Sequence, residues 1–310
     1  MSTIEKALAK QKIANENGKN KIDTTAASSP ERNSKIIKSD IEHHASDNSV
    51  SAFVVDSSKQ RTKAGKETIV LNGEHLTKRG FIYGPESAHH IQEEFRHIKR
   101  KLLNNAFGAA SKTLKHSNLI MVSSSTPNEG KTFISINLAL SIALEQDKTV
   151  LLIDADVLRP SLHRELEFKS ERGLLEYLLD EVPSLSEVIY NTSIPNLKLI
   201  PSGKPHHLTN ELLASRKMVT LAEELAQRYP DRIVILDCPP ILGVTETPVL
   251  SSLVGQAVVV VEESKSKLDD VKKAVSQLDK DIAVGFVMNK TIRSKKDEYG
   301  YYGYGYGKKS

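Results

Sequence analysis

The sequence predicts an α/β fold with a doubly wound, mostly parallel sheet, and two features of its hydrophobic pattern support this. Six short apolar runs of strand length lack polar alternation, which is typical of strands buried on both faces. They cover residues 118–122, 149–153, 197–200, 233–236, 257–261 and 283–288. Segments with helical periodicity separate most of these runs, for example residues 133–145, 210–229 and 268–278. Strands that alternate with helices indicate a parallel sheet with helices on both faces.

Composition and charge exclude several classes of protein. The chain has 310 residues, a net charge of +4 and one cysteine, Cys238, so an intramolecular disulfide is impossible and a reducing cytoplasm is the natural setting. The charge is too slight to indicate nucleic-acid binding. The sequence has neither a run of about eighteen apolar residues nor the core of a signal peptide. Any link to a membrane is therefore expected to come through a partner or the protein surface.

The predicted organisation has four parts. Residues 1–14 form a short amphipathic helix, which either frays or docks on a partner. Residues 15–85 form a largely disordered linker rich in polar residues, with apolar stretches near its end that could lie along a domain surface. Residues 86–292 form the folded domain, which begins with a helix, and residues 293–310 form a tail rich in tyrosine and glycine.

A candidate phosphate-binding loop occupies residues 125–132, between the first apolar run and a helix. Such a P-loop wraps phosphates with backbone N–H groups above a helix N-terminus. Gly130 would allow close approach, Lys131 would reach the β and γ phosphates, and Thr132 would bind Mg²⁺. The pattern is imperfect because Ser125 stands where the first glycine usually does, and an ordinary strand-to-helix turn is the alternative. The predicted ATP-binding residues here are Ser125, Thr126, Pro127, Asn128, Glu129, Gly130, Lys131, Thr132 and Phe133.

Aspartates end two further predicted strands. Asp154 and Asp156 follow one strand, and Asp237 follows another. Carboxylates at the carboxyl ends of parallel strands, beside a P-loop, suit Mg²⁺ coordination and proton abstraction. Each aspartate alone could equally be a helix cap or a solvated loop residue. Together with the P-loop, the three aspartates predict a magnesium–nucleotide site.

These motifs resemble the three nucleotide motifs of the bacterial tyrosine autokinases, a family that regulates exopolysaccharide synthesis. The resemblance rests on residues 125–132, Asp154-Ala155-Asp156 and Asp237-Cys238-Pro239-Pro240, and it extends over about residues 92–289. The segments 2–8 and 94–100 resemble the branch of the family that is encoded with PEP-CTERM/exosortase polysaccharide loci.

The resemblance implies a P-loop NTPase-like fold and a non-specific protein-tyrosine kinase that uses ATP and Mg²⁺. It implies that Lys131 and Thr132 hold ATP·Mg²⁺ and that Asp154 and Asp156 help to deprotonate a tyrosine. The catalytic set is thus Lys131, Asp154 and Asp156, and the metal set is Thr132, Asp154 and Asp237. Asn289 stands where the family often contacts adenine.

The resemblance also implies that the kinase phosphorylates its own tail in trans, within a ring of subunits. The acceptors would be Tyr299, Tyr301, Tyr302, Tyr304 and Tyr306. The implied partners are further copies of the chain, a membrane polysaccharide chain-length regulator of the co-polymerase type and a cognate tyrosine phosphatase, with no nucleic acid. The implied location is cytoplasmic, peripheral to the inner membrane through that partner.

Two departures from the family pattern affect these expectations. Leu158 stands where the second motif usually has arginine, and Arg159 follows it. The oligomerisation helix, which carries Glu-x-x-Arg-x-x-Arg in the family, would use Glu93, Arg96, Lys99 and Arg100 here. A lysine in place of arginine cannot reproduce a bidentate guanidinium contact.

Other functions stay open at this point. A switch ATPase of the ParA/MinD kind would have the same core and no phosphoprotein product, but such proteins usually carry a lysine where this chain has Thr126. A non-enzymatic adaptor that binds ATP to stabilise a membrane partner is a third candidate. The tail by itself could be a low-complexity linker. The kinase interpretation accounts for both the loop and the tail.

Overall fold

The sheet of this protein has eight strands in the order β1-β4-β5-β3-β6-β2-β7-β8. The structure is a computed structural model that describes residues 68–84, 89–228 and 231–292. The strands are β1 (Thr68–Ile69), β2 (Leu119–Ser124), β3 (Thr149–Asp154), β4 (Tyr190–Thr192), β5 (Leu197–Ile200), β6 (Arg232–Asp237), β7 (Gln256–Glu262) and β8 (Ala283–Asn289). Neighbouring strands are parallel except for β4 and β5. The predicted α/β class is thereby confirmed.

Nine α-helices lie in the described part of the chain. They are α1 (Gly73–Lys78), α2 (His89–Phe107), α3 (Lys131–Ala143), α4 (Leu162–Glu165), α5 (Leu174–Leu178), α6 (Thr209–Leu213), α7 (Arg216–Gln227), α8 (Glu246–Ser251) and α9 (Leu268–Ser276). None of the described helices is both long and apolar enough to cross a bilayer.

Helices cover both faces of the sheet, and β3 shows why its sequence is apolar throughout. Val150 and Leu152 pack into one hydrophobic core, together with α1, α2 and α3. Leu151 and Ile153 pack into the second core, on the opposite face, with residues of α5 to α9. Successive side chains of a strand point to opposite faces, so a strand buried on both faces has no polar alternation.

The segment 68–84 corrects the predicted extent of the linker. This segment was predicted to belong to a largely disordered stretch that ends at residue 85, but it forms β1 and α1. Leu76, Phe81 and Ile82 are buried in the same core as α3. Its short apolar runs are separated by polar residues, so they have no clear period in the sequence, and only tertiary packing reveals them as part of the domain.

The predicted helix over residues 210–229 is also divided. α6 ends at Leu213 and α7 begins at Arg216. Ser215 causes the break, because its hydroxyl accepts a hydrogen bond from the backbone N–H of Met218 at 3.2 Å and caps the new helix. The predicted terminal helix, most of the linker and the tail lie outside the described residues.

Candidate nucleotide site

The loop between β2 and α3 has the backbone of a phosphate cradle. Gly130 caps α3 with φ 96°, in the left-handed region, and Asn128 also has a positive φ of 69°. A Cβ on Gly130 would lie 2.0 Å from Nδ2 of Asn289, so only glycine fits. The thirteen-residue helix α3 presents its N-terminal N–H groups toward this loop, which favours a bound anion.

A buried carboxylate holds the loop from inside. Glu129 is 1% exposed and accepts hydrogen bonds from the Ser125 hydroxyl at 2.9 and 3.0 Å and from the Thr126 N–H at 2.9 Å. The Ser266 hydroxyl, between β7 and α9, also donates to it. The serine that replaces the usual first glycine therefore anchors Glu129.

The lysine of the loop pairs with a carboxylate of the second motif. Nζ of Lys131 lies 2.6 Å from Oδ2 of Asp156, and both side chains are largely buried. Burial opposes the charge of Lys131, but the carboxylates of Asp237 and Asp156 outweigh it and raise the lysine pKa. A phosphate that binds in the loop can replace Asp156 as the ion-pair partner of Lys131, which leaves the Asp156 carboxylate without that contact.

Asp154 uses one oxygen for the protein and leaves the other without a partner. Its Oδ2 accepts hydrogen bonds from the N–H groups of Ser161 and Leu162, each at 3.1 Å. Its Oδ1 is buried and has no hydrogen-bond partner. The Ser161 hydroxyl in turn lies 2.8 Å from the hydroxyl of Thr132, so the second motif also meets the loop.

Asp237 stands beside Asp154 on the neighbouring strand, where their Cα atoms are register partners. Its Oδ1 accepts a hydrogen bond from the Ser135 hydroxyl at 3.0 Å, and its buried Oδ2 has no partner. Burial and the nearby charge of Asp237 raise the pKa of Asp154 to about 8. Burial likewise raises the pKa of Asp237 to about 6, against the opposing charge of Lys131.

The donor set fits a magnesium ion. Asp154 and Asp237 each keep one buried oxygen without a partner, and Thr132 lies beside them. Unpartnered buried carboxylate oxygens are costly unless a cation or proton compensates them. Mg²⁺ prefers oxygen ligands of this kind.

Lys131, Thr132 and Asp156 border a cleft of about 1150 Å³. Its lining includes the loop and the segment after Asp156, and it contains more cationic than acidic side chains. The cations are Arg79, Lys131, Arg159, Arg164 and Lys290, and the acids are Asp156 and Glu165. The cleft therefore attracts anions such as the triphosphate of a nucleotide.

Asn289 supports the loop from β8. Its side-chain Nδ2 donates to the carbonyl oxygen of Glu129 at 2.9 Å. The next residue, Lys290, donates to the carbonyl oxygen of Asn128 at 2.7 Å. The predicted contact of Asn289 with adenine stays a prediction, and the hydrogen bond to the loop backbone is the role that its geometry defines.

The predicted oligomerisation residues lie on α2 but differ in exposure. Glu93 forms an ion pair with Arg96, and Arg100 is exposed. Lys99 is a correction, since its side chain is buried and donates to the carbonyl oxygen of Ser141 at 2.9 Å. It also pairs with Glu145 within the subunit, so it does not contribute to an exposed interface. The tyrosines predicted as acceptors lie outside the described residues.

Sequence reasoning missed several residues of the site. Ser135 follows Lys131 by one helical turn, a spacing that could have indicated the same helix face. Ser161 follows the second motif closely but matches no pattern by itself. Arg79 belongs to the segment predicted as linker, and no sequence motif marks it as a residue of the site. Arg159 lines the cleft, and its N–H donates to Asp156 at 3.1 Å, so the backbone of this shifted arginine supports the second motif.

The fold and site define a P-loop nucleotide-binding protein, and comparisons with known proteins agree. Residues 117–284 match the family described as AAA domain. The chain is 33% identical over 213 residues to the tyrosine-protein kinase YwqD of Bacillus subtilis (strain 168), covering 68% of this chain and 86% of that protein. It is 31% identical to the putative tyrosine-protein kinase CapB of Staphylococcus aureus, covering 68% and 90% of the two chains.

Other relatives are longer. The tyrosine-protein kinase ptk of Acinetobacter johnsonii is 36% identical over 179 residues, which are 57% of this chain and 24% of that one. The chain thus matches about a quarter of that relative's length.

Two solved structures share the fold. The chimerical protein CapA2B2 aligns with a TM-score of 0.59 at 25% identity, covering 74% of this chain and 96% of that one. The kinase domain of the Escherichia coli tyrosine kinase ETK aligns with a TM-score of 0.57 at 27% identity, covering 78% and 95%. The chain belongs to the bacterial tyrosine-protein kinase family, and its enzyme class is that of a protein-tyrosine kinase.

Proposed function

We propose that this protein is an ATP- and Mg²⁺-dependent tyrosine autokinase that phosphorylates the C-terminal tyrosines of a neighbouring copy. The observation that carries the proposal is the cluster of Lys131, Asp156 and the Asp154–Asp237 pair at one end of the sheet. This cluster combines a cation for phosphates, a carboxylate within reach of that cation, and two carboxylates suited to a metal.

The chemistry follows from how these side chains exchange partners. ATP binding draws Lys131 from Asp156 to the β and γ phosphates, which leaves Asp156 free to accept a proton. Thr132, Asp154 and Asp237 would hold Mg²⁺, which would neutralise charge on the phosphates. The tyrosine oxygen forms a bond to the γ phosphorus as the bond to the bridging oxygen breaks, ADP leaves, and the phenolic proton moves to Asp156. Positioning and charge supply most of the catalysis in such transfers.

The acceptors in this proposal are Tyr299, Tyr301, Tyr302, Tyr304 and Tyr306. Each phosphate adds about −1.5 to −2 charges at neutral pH. Phosphorylated tails would repel one another and the nucleotide, so we expect autophosphorylation to release the tail and loosen the oligomer. Size-exclusion chromatography with light scattering measures this, and an unchanged oligomer mass after full phosphorylation contradicts it.

The proposal extends to a biological setting, supported by a relative from Klebsiella pneumoniae that is named a putative tyrosine-protein kinase in cps region. The protein would regulate exopolysaccharide biosynthesis and export. It would act in the cytoplasm at the inner membrane through a co-polymerase partner, and a tyrosine phosphatase would reverse its action. Co-purification with the membrane fraction in the presence of that partner, and its absence without it, tests this setting.

Labelled ATP tests the activity directly. Purified protein with Mg²⁺ and ATP labelled at the γ phosphate should transfer label to the tail tyrosines, as mapped by mass spectrometry. Lys131→Met should abolish the transfer, and Lys112→Met, at an exposed lysine away from the cleft, should not. Free labelled phosphate without labelled protein would instead indicate a switch ATPase, and neither product would indicate an adaptor.

A further inference from the structure

Two arginines and a glutamate form a charged triplet on one wall of the cleft. Glu165 pairs with Arg79 through one oxygen, and its other oxygen lies 3.6 Å from Nε of Arg164. The side chain of Glu165 is 16% exposed, whereas those of Arg79 and Arg164 are 51% and 69% exposed. The triplet has a net charge of +1, and its more exposed side chains are the two arginines.

The position of Arg79 is fixed by the helix that precedes it. Leu76 of α1 is fully buried. The ring of His75 contacts the carbonyl oxygen of Glu165 and the carboxylate of Glu167, each at 3.0 Å. The backbone that carries Arg79 is therefore fastened to the segment around α4, while its guanidinium stays accessible. Such preorganisation lowers the entropic cost of binding a ligand.

The triplet lines the same cleft as the P-loop residues and Lys131. Arg164 and Glu165 belong to the segment that continues from Asp156, the proposed proton acceptor. The cleft volume of 1150 Å³ exceeds the roughly 300–1,000 Å³ of ordinary ligand pockets. It has room for a nucleotide and for part of a peptide beside it.

The tail has one sequence feature that complements this wall. Asp297 and Glu298 immediately precede Tyr299, and they are the only acidic residues in the sequence 293–310. The other charged residues of this sequence are Arg293, Lys295, Lys296, Lys308 and Lys309, which the guanidinium groups would repel. Asp297–Glu298 is therefore the one part of this sequence whose charge is opposite to that of the triplet. Repulsion of the basic residues makes binding at other positions of the tail less favourable.

We infer that Arg79 and Arg164 recognise the acidic pair Asp297–Glu298 of a neighbouring copy's tail and thereby select Tyr299 as the first acceptor. This inference rests on the proposed autokinase function. Glu165 competes with the tail for the same guanidinium groups, which makes the recognition weak enough to be reversible. The later tyrosines then reach the cleft when Asp297–Glu298 leave the two arginines and the tail shifts along the cleft.

A peptide-binding experiment tests the recognition. The enzyme is the full chain with its five tail tyrosines replaced by phenylalanine, with Mg²⁺ and a non-hydrolysable ATP analogue. The probes are a fluorescent peptide of residues 294–307 and the same peptide with Asp297→Asn and Glu298→Gln. We expect the neutral peptide to bind about fivefold more weakly, the size of two exposed charge pairs, and the difference to shrink near 0.5 M salt because exposed charges are screened.

Variants of the enzyme assign the effect to the triplet. Arg79→Gln and Arg164→Gln should each remove about half of the preference, the double variant should remove nearly all of it, and Arg79→Lys should keep part of it. Glu165→Gln should instead raise the affinity for the acidic peptide, because Glu165 competes with that peptide for the arginines. Lys78→Gln is the matched control, because Lys78 is exposed on the same helix, pairs with Glu74 and does not line the cleft.

Three outcomes overturn the inference: equal affinities for the two peptides, a preference that survives the double variant Arg79→Gln with Arg164→Gln, or loss of ATP affinity rather than peptide affinity in Arg79→Gln. Early time points of autophosphorylation add an independent readout, since Tyr299 should carry label first and Asp297→Asn with Glu298→Gln should remove that order. If the enzyme labels no tyrosine, the proposed function fails, and the peptide affinities still decide the inference.

Discussion

The Ser125 hydroxyl donates to both oxygens of the Glu129 carboxylate, at 2.9 and 3.0 Å, within the phosphate-binding loop. The carboxylate is buried, so the loss of a donor leaves a buried oxygen with fewer hydrogen bonds to offset its removal from water. We therefore expect Ser125→Ala to lower the free energy of unfolding by about 1–3 kcal/mol, as measured by urea denaturation. The change should also weaken nucleotide binding, because the loop loses its internal support.

A double-mutant cycle separates this interaction from general damage to the loop. Glu129→Gln removes the charge, and the double variant should then lose less than the sum of the two single changes, with a coupling energy of about 0.5–3 kcal/mol. A coupling near zero would show that Ser125 and Glu129 act independently.

The Asp154–Asp237 pair predicts an unusual pH dependence for the metal-free protein. The unfolded pKa of aspartate is about 3.9, and the folded values are raised to about 8 and about 6. The folded state therefore holds protons more tightly than the unfolded state. This contribution to stability is fully present below pH of about 3.9 and is lost as pH rises through the folded values.

Urea unfolding at pH 6 and pH 9 without metal measures this loss. Asp154→Asn should flatten the pH slope, whereas Asp269→Asn, at an exposed position of α9, should not. Mg²⁺ should stabilise the wild-type protein more at pH 9 than at pH 6, because the ionised pair binds it better. A stability that rises between these pH values without metal contradicts the proposed environment of the pair.

The ion pair between Lys131 and Asp156 predicts that loss of the lysine also weakens the fold. Lys131→Met leaves the largely buried Asp156 without its cation, and breaking such a pair from one side costs about 3–5 kcal/mol. The double variant Lys131→Met with Asp156→Asn should recover much of the free energy of unfolding while it stays inactive. If the single variant is as stable as the wild type, the pair has no structural role, and inactivity would reflect lost phosphate contacts alone.

The segment before α2 predicts a sharp difference between two truncations. Removal of residues 1–66 leaves β1 and α1 in place, and the product should fold. Removal of residues 1–85 exposes the core that Leu76 and Phe81 cover, and it should give insoluble or strongly destabilised protein. Leu76→Ala in the full chain should cost about 2–5 kcal/mol, whereas Val70→Ala, at a position 70% exposed, should stay within about 0.5 kcal/mol.

An element of this fold can be predicted from the sequence when its own residues form a recognisable pattern, without knowledge of what they pack against. The central strands were found because a strand such as β3 is apolar on both faces, and this pattern needs no knowledge of neighbours. Two short strands were missed because β1 has two residues and β4 has three, too few for any periodicity. α1 was missed because its single buried apolar residue, Leu76, forms no pattern.

The same limit applies to the site. Lys131, Thr132 and the three aspartates were found because a loop and two strand ends carry them at recognisable spacings. The motif places Lys99 at an interface, but the structure buries it against Glu145, just after α3, a contact that no spacing reveals. Arg79 and Ser266 reach the cleft or the loop from distant parts of the chain, so only the folded structure brings them there.

The strand order places β1 and β8 at opposite edges of the sheet. Seven spacings of about 4.8 Å separate such edges, or roughly 34 Å. The polypeptide enters the described domain at one edge and leaves it, toward the tyrosines, at the other. In the proposed autokinase, a partner bound at the β1 edge would therefore leave the β8 edge, from which the sequence continues toward the tyrosines, uncovered.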